Sequence, residues 1–191
     1  MPRNLIVYGL AVLAGLVGYL VLRALLGGEA MFLIALIGLV VGGVIVFRNL
    51  KTNRKVADAT PEQRAAALQF TAPVDKAALY VFRNQFVGRA VGINVMVDGR
   101  EVAQLKSPRF TRILLTPGPH RIAGYTGTNK KPVDNEGLAI SAKAGEVLVL
   151  KAEVEAQMVG VTIKYSPVGV DVARGEIEKI AKMVTPDIAE L

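Results

Sequence analysis

The stretch EVLVLKAEVEAQ, residues 146–157, decides the fold class of most of this chain. Apolar residues from Leu148 to Ala156 alternate with the charged residues Lys151, Glu153 and Glu155. A period of two is typical of a β-strand that buries one face and leaves the other in water. The stretch therefore predicts a strand that packs one face against the core and exposes the other face to solvent.

Seven further stretches between Ala77 and Ser166 have the same short period and end at turn residues. They are ALYVFRN, AVGINVMVDG, REVAQL, RFTRILLTPG, HRIAGYTG, GLAISAKAG and VTIKYS. Asp98-Gly99 is a strong hairpin signal, and short strands at regular spacing favour a sandwich or barrel. We predict a mainly-β antiparallel sandwich over residues 76–191. Ile177, Ile180 and Val184 recur at helical spacing, which predicts a C-terminal helix over 175–184.

The N-terminal quarter is apolar, and it accounts for much of the mean hydropathy of +0.40. Leu5–Leu22 and Ala30–Phe47 each hold 18 residues without a charge. Helices of ~17 or more apolar residues can cross a bilayer. We therefore predict a two-helix transmembrane hairpin in residues 1–50, with spans at about 5–25 and 30–47. Two buried helices of a soluble core are the alternative, and a cleaved signal peptide is a second reading of the first segment.

Loop charge predicts the orientation of this hairpin. Four basic residues follow the second segment, Arg48, Lys51, Arg54 and Lys55, and we expect them on the cytoplasmic side in contact with lipid headgroups. These residues predict a multi-pass bacterial inner-membrane protein with its second domain in the cytoplasm. Residues 1–55 carry a net charge of +5 and residues 56–191 only +2, so the basic excess does not indicate nucleic acid.

Small residues repeat at four-residue spacing in both apolar segments. The pairs are Ala11/Gly15 and Ala14/Gly18 in the first segment and Gly38/Gly42 in the second. Such spacing lets helix backbones approach closely. We expect these residues to pack the hairpin on itself or against a membrane-protein partner or a second copy of the chain.

Residues 51–75 read as a basic, partly helical linker. Thr60 is a predicted N-cap, Pro61 suits the first helical position, and Gln63 has capping-box spacing. The helix is expected to run from Pro61 to about Phe70.

The motifs YVFR at 80–83, VMVDG at 95–99, PGPH at 117–120 and GEVLVL at 145–150 resemble the bacterial family named Domain of Unknown Function 2846. The resemblance covers about residues 76–155 and implies a small β-sandwich of immunoglobulin-like or PEGA-like type. The VDG and PGPH turns alone are similar to PEGA surface domains. The family has no assigned chemistry, so the resemblance implies no catalytic residue.

His120 is the only histidine, and it stands in the turn sequence PGPH. We expect it to bond to turn backbone and cover the end of the sandwich. Zinc requires three or four ligands, whereas the chain has one histidine and no cysteine. Ser107, Ser141 and Ser166 lie in no nucleophile-elbow pattern. In the pairs Ser141/Lys143 and Glu153/Glu155 the two residues are two positions apart, so they share one face of a strand without any catalytic role. We predict no enzyme, cofactor or metal.

One charge asymmetry remains within the predicted sandwich. Residues 83–131 carry a net charge of +7, and residues 134–191 carry −4. The basic half could face anionic lipid or be a scattered, solvated surface. The leading functional hypothesis is a non-catalytic accessory module that binds or stabilises an inner-membrane protein complex. An anionic-lipid sensor is the alternative, and a hydrolase using His120 is a third.

Overall fold

A computed structural model describes residues 3–51, 53–54, 56–86, 88–127, 131–132, 136–156 and 161–191. The chain divides into two compact units, Met1–Phe47 and Arg48–Leu191. The first unit holds helix α1 (Arg3–Leu26) and most of helix α2 (Gly28–Lys51). Gly27 joins the two helices with a φ of +79°, which glycine adopts without the steric cost of a Cβ.

The apolar helices of the first unit correct the predicted membrane topology. Within the described residues, neither of them, nor any other helix, combines the length and apolarity needed to cross a bilayer. The predicted transmembrane hairpin is therefore wrong, and so is the multi-pass inner-membrane localisation that depended on it. The prediction used a permissive criterion, since 18 charge-free residues stand at the short limit for a span. Both helices also include charged residues, Arg23 in α1 and Glu29 in α2.

The described part of the second unit holds eight strands, and each overlaps a stretch predicted as a strand. They are β1 Ala77–Arg83, β2 Ile93–Val97, β3 Arg100–Leu105, β4 Arg109–Leu115, β5 Gly118–Thr126, β6 Leu138–Ala142, β7 Val147–Ala156 and β8 Val161–Pro167. The predicted hairpin turn is confirmed, because Asp98 and Gly99 both have positive φ, +50° and +74°. This is the conformation that a tight two-residue hairpin requires.

The strands form two four-stranded sheets, in the orders β4-β1-β7-β8 and β3-β2-β5-β6. Leu79, Val81, Val95, Ile122 and Leu150 belong to one buried cluster drawn from both sheets. The predicted antiparallel pairing of the mainly-β sandwich is wrong at one place, because β1 and β7 pair in parallel. Side-chain alternation has the same period in parallel and antiparallel strands, so the sequence pattern carries no information on this pairing.

The sheet that contains β1 is covered on both of its faces. Every residue of β1 is buried. Its alternate residues Tyr80 and Phe82 belong to a second cluster with Phe70 and Ile177, and the rings of Phe70 and Tyr80 stack at 4.8 Å. A helical layer therefore lies over this sheet, opposite the second sheet.

Two short helices supply that layer. Helix α3 (Pro61–Ala67) has the predicted capping box, in which Thr60 accepts from the Gln63 backbone and the Gln63 side chain accepts from the Thr60 N–H. The helix ends at Ala67, before the predicted Phe70.

The C-terminal helix is displaced from its predicted range of 175–184. Helix α4 spans Val170–Ile177, and the residues after it include an extended segment in which Met183 and Val184 form bridges to Phe110 and Asp58. Ile177, Ile180 and Val184 are all buried. Ile177 is buried at the end of α4, whereas Ile180 and Val184 are buried in the chain that follows it. Their spacing in the sequence is the same as in a single helix, so the pattern does not distinguish the two structures.

Candidate functional site

His120 links two turns of the sandwich. It is buried in β5, with Nδ1 at 2.6 Å from Asp98 Oδ2 and Nε2 at 2.7 Å from the Thr116 carbonyl oxygen. The contact with turn backbone confirms the predicted bond. Both partner atoms are acceptors, so a ring nitrogen that carries a proton donates to its partner. With both nitrogens engaged, the ring ties the β2–β3 hairpin to the β4–β5 turn.

The acidic pair Glu153/Glu155 forms ion pairs on the strand surface. Glu153 lies 3.6 Å from Lys151, and Glu155 lies 3.5 Å from Lys164 on the neighbouring strand. Among the described residues, no group of three or more histidine, cysteine, aspartate or glutamate side chains is arranged to hold a metal ion. These carboxylates therefore serve as partners for lysines in their own sheet.

A cluster of cations surrounds a cleft at one end of the sandwich, and we call it the basic cleft. Its volume is about 540 Å³. The lining residues come from the β1–β2 loop, the β3–β4 connection and the segment after α4, and they are Arg89, Ala90, Lys106, Ser107, Pro108, Arg109, Ala181 and Lys182. Three separated parts of the chain thus bring four positive side chains to one opening.

Asp58 holds two of these cations in place. Its Oδ1 accepts from Arg109 at 2.8 Å and its Oδ2 accepts from Lys182 at 2.8 Å. The hydrogen bond from Lys182, with a further contribution from the charge of Arg109, holds the pKa of Asp58 below its ordinary value. Asp58 therefore fixes one wall of the basic cleft while remaining ionised.

The other two cations of the cleft, Arg89 and Lys106, differ from this pair. None of the ion pairs made by the described residues includes Arg89 or Lys106. The Arg89 guanidinium lies 6.0 Å from the centre of the Phe86 ring, and that ring is 81% exposed. The cleft thus has an excess of positive charge beside an exposed aromatic side chain.

Arg83 lies at the same end of the sandwich as the basic cleft, because it is opposite Arg109 in the β1–β4 register. It is fully buried and donates to the carbonyl oxygens of Gly88, at 2.8 Å, and of Val91. Burial lowers the pKa of its guanidinium to about 10. Because Gly88 and Val91 flank Arg89, Arg83 holds the loop that carries one cation of the cleft.

The residues predicted to contact lipid headgroups fall at the start of the second unit. Arg54 is bonded within that unit, with Nη2 at 2.9 Å from both Glu101 and Asp187. Arg48 and Lys51 lie near the end of α2, and Lys55 is outside the described residues. Their headgroup role stays a prediction.

The predicted small-residue positions lie along α1 and α2. Ala11, Ala14, Gly15 and Gly18 are in α1, and Gly38 and Gly42 are in α2. A Cβ built on any of the four glycines would meet no atom within 4 Å, so the space beside them is open. Their role in helix packing stays a prediction.

Part of the basic cleft was predictable from the sequence. Arg89, Lys106 and Arg109 belong to the basic half predicted over 83–131. Lys182 was not predicted, because it lies in the range 134–191, whose net charge is −4. Only the tertiary fold brings this residue beside Arg109.

No protein family, no curated protein and no solved structure matches this chain. The resemblance of residues 76–155 to Domain of Unknown Function 2846, and of two turns to PEGA domains, stays a hypothesis. The geometry of the basic cleft is therefore the main guide to the function.

Proposed function

We propose that this protein is a non-catalytic binding module whose basic cleft binds an acidic segment of a partner protein. One observation carries the proposal. Four cations line the cleft, and the described carboxylates pair with only two of them, Arg109 and Lys182. Exposed cations without partners raise the local positive potential and attract anionic groups.

A non-catalytic role agrees with the state of the residues that hydrolysis would need. Both nitrogens of His120 are engaged by Asp98 and Thr116. A general base needs one ring nitrogen within hydrogen-bond reach of the proton that it removes. The basic cleft itself is lined by cations, alanines, a serine and a proline, which suit recognition of charge.

The chemistry beside the cleft favours a peptide over a small free anion. Phe86 is 81% exposed and stands against Arg89, so an apolar contact is available next to the positive charges. Exposed aromatic and arginine side chains are enriched at protein–protein interfaces. An acidic segment that also carries an apolar side chain would use both features at once.

The test is binding of a short, fluorescently labelled poly-glutamate peptide to the full chain, followed by anisotropy at low ionic strength. Lys106→Glu is expected to weaken binding roughly tenfold, because it removes one attraction and adds one repulsion in the cleft. Binding should weaken further as salt is added, since exposed charges are screened beyond about 10 Å at 0.1 M ionic strength.

Lys143→Glu is the matched control. Lys143 is exposed in the β6–β7 turn, where Gly145 N–H donates to Lys76 O beside the start of β1. The basic cleft lies at the other end of β1, where Arg83 is opposite Arg109. Equal losses from the two lysine variants would refute the cleft as the binding site. Tighter binding of a single-stranded DNA of equal charge would refute the choice of a protein partner.

A further inference from the structure

A second cavity lies apart from the basic cleft, between α3, β4 and the C-terminal segment, and we call it the Arg112 pocket. Its volume is about 250 Å³. Its wall is mainly apolar, with Leu114, Met183, Pro186 and three alanines, and Gln63 and Thr185 add an amide and a hydroxyl. Arg112 is the one charged residue among the lining residues that the structure describes.

The guanidinium of Arg112 lies beside the Tyr80 hydroxyl and has one donor without a partner among the described residues. Its Nη2 donates to the Thr71 carbonyl oxygen at 3.0 Å, while its Nε is buried and has no hydrogen-bond partner among the described residues. The ion pairs of the described chain include no carboxylate with Arg112. The Nε is closed off from solvent, so a ligand would meet the outer N–H groups of the guanidinium, and arginine pairs with carboxylates through such N–H donors.

We propose that the Arg112 pocket binds a small monocarboxylate with a short apolar body. The carboxylate would pair with Arg112, and the body would lie against Leu114, Met183 and Pro186. The volume sets the size of the ligand. An apolar cavity of about 150 Å³ accommodates benzene, so a pocket of about 250 Å³ suits a ligand of about ten non-hydrogen atoms. A straight eight-carbon acid has this size.

This inference is independent of the proposed function, because the two sites share no lining residue. The two sites also favour different kinds of anion. The basic cleft is open and has several cations, whereas the Arg112 pocket offers one guanidinium in an apolar wall. A poly-acidic segment does not suit that wall, and an apolar monocarboxylate does.

The test is calorimetric titration of the full chain with sodium octanoate. We expect saturable binding of one octanoate per chain with a dissociation constant below about 1 mM. Octan-1-ol, which has the same chain and no charge, should bind at least roughly tenfold more weakly. Equal binding of the acid and the alcohol would overturn the role of Arg112, and an absence of saturable octanoate binding would overturn the site.

Three variants separate the pocket from general effects of charge. Arg112→Met should abolish octanoate binding, and Arg89→Met, the same change in the basic cleft, should leave it unchanged. Ala66→Leu fills the pocket and keeps Arg112, so it should also abolish binding even if Arg112→Met fails to fold. Octanoate binding that survives Ala66→Leu, or that Arg89→Met weakens as much as Arg112→Met does, contradicts the proposal.

Discussion

Gly124→Ala is the substitution whose cost the structure defines most sharply. Gly124 lies in β5 under the ring of Tyr165, which reaches across from β8 and donates its hydroxyl to the Ala123 carbonyl oxygen at 3.0 Å. A Cβ on Gly124 would stand 2.4 Å from the Tyr165 hydroxyl oxygen and 2.9 Å from the Asn94 carbonyl oxygen. Atoms do not approach so closely, so either the ring or the strand must move.

The cost follows from what must move. Shifting the Tyr165 hydroxyl breaks its bond to Ala123, which is worth about 1 kcal/mol. Overpacking a dense interior adds about 1–3 kcal/mol, and the backbone oxygen of Asn94 cannot rotate away. We expect Gly124→Ala to lower the free energy of unfolding by about 2–4 kcal/mol. At about 3 °C per kcal/mol, the melting temperature falls by roughly 6–12 °C.

A double-mutant cycle measured by urea denaturation checks this reasoning. Tyr165→Phe alone should cost about 1 kcal/mol. In the Tyr165→Phe background, Gly124→Ala should cost about 1–2 kcal/mol, because the severe contact with the hydroxyl is gone and the 2.9 Å contact with the Asn94 carbonyl oxygen remains. Gly175→Ala is the control, since its Cβ meets nothing within 4 Å and it lies inside α4. That change should stabilise by about 0.5–1 kcal/mol. A neutral Gly124→Ala, or one whose cost is the same in both backgrounds, refutes the steric argument.

Three further outcomes are expected. Thr60→Ala removes the cap that bonds the Gln63 N–H, and urea denaturation should show a loss of about 1 kcal/mol. Burial, together with the hydrogen bond to Glu101, raises the pKa of Tyr125 to about 12. The unfolded tyrosine titrates near 10, so the contribution of Tyr125 to the free energy of unfolding is fully present below about pH 10 and declines towards pH 12. Tyr125→Phe should make this decline smaller, as measured by urea denaturation at a series of fixed pH values. His120→Ala should lower the melting temperature, because it removes both turn bonds, and it should leave binding of poly-glutamate unchanged. A melting temperature unchanged from the parent chain would contradict the structural role of His120.

Local sequence patterns predicted the strands because alternation and turn residues are properties of short stretches of sequence. Alternation from Leu148 to Ala156 and the Asp98-Gly99 pair are features of neighbouring residues, and the structure has a strand at the first and a hairpin turn at the second. The parallel pairing of β1 with β7 leaves no local sequence pattern, because most of the other strands lie between these two in the sequence. Burial of both faces of β1 likewise depends on α3 and α4 covering the sheet, which is a property of the tertiary fold.

The membrane prediction failed for a different reason. It treated freedom from charge over 18 residues as sufficient, and that measure sets only a lower limit on a span. The orientation, the localisation and the membrane partners were then derived from that one step. The strands of the second unit were predicted independently of it, which is why they were unaffected.

The segment after α4 shows why the sites were harder to predict than the strands. Its bridges from Met183 to Phe110 and from Val184 to Asp58 are those of extended chain, in which successive side chains point to opposite sides. Lys182 accordingly lines the basic cleft, and Met183, next to it, lines the Arg112 pocket. A helix over 175–184 would have presented these two residues about 100° apart, on neighbouring parts of one surface. The same error in secondary structure therefore hid both cavities, since this segment forms a wall of each.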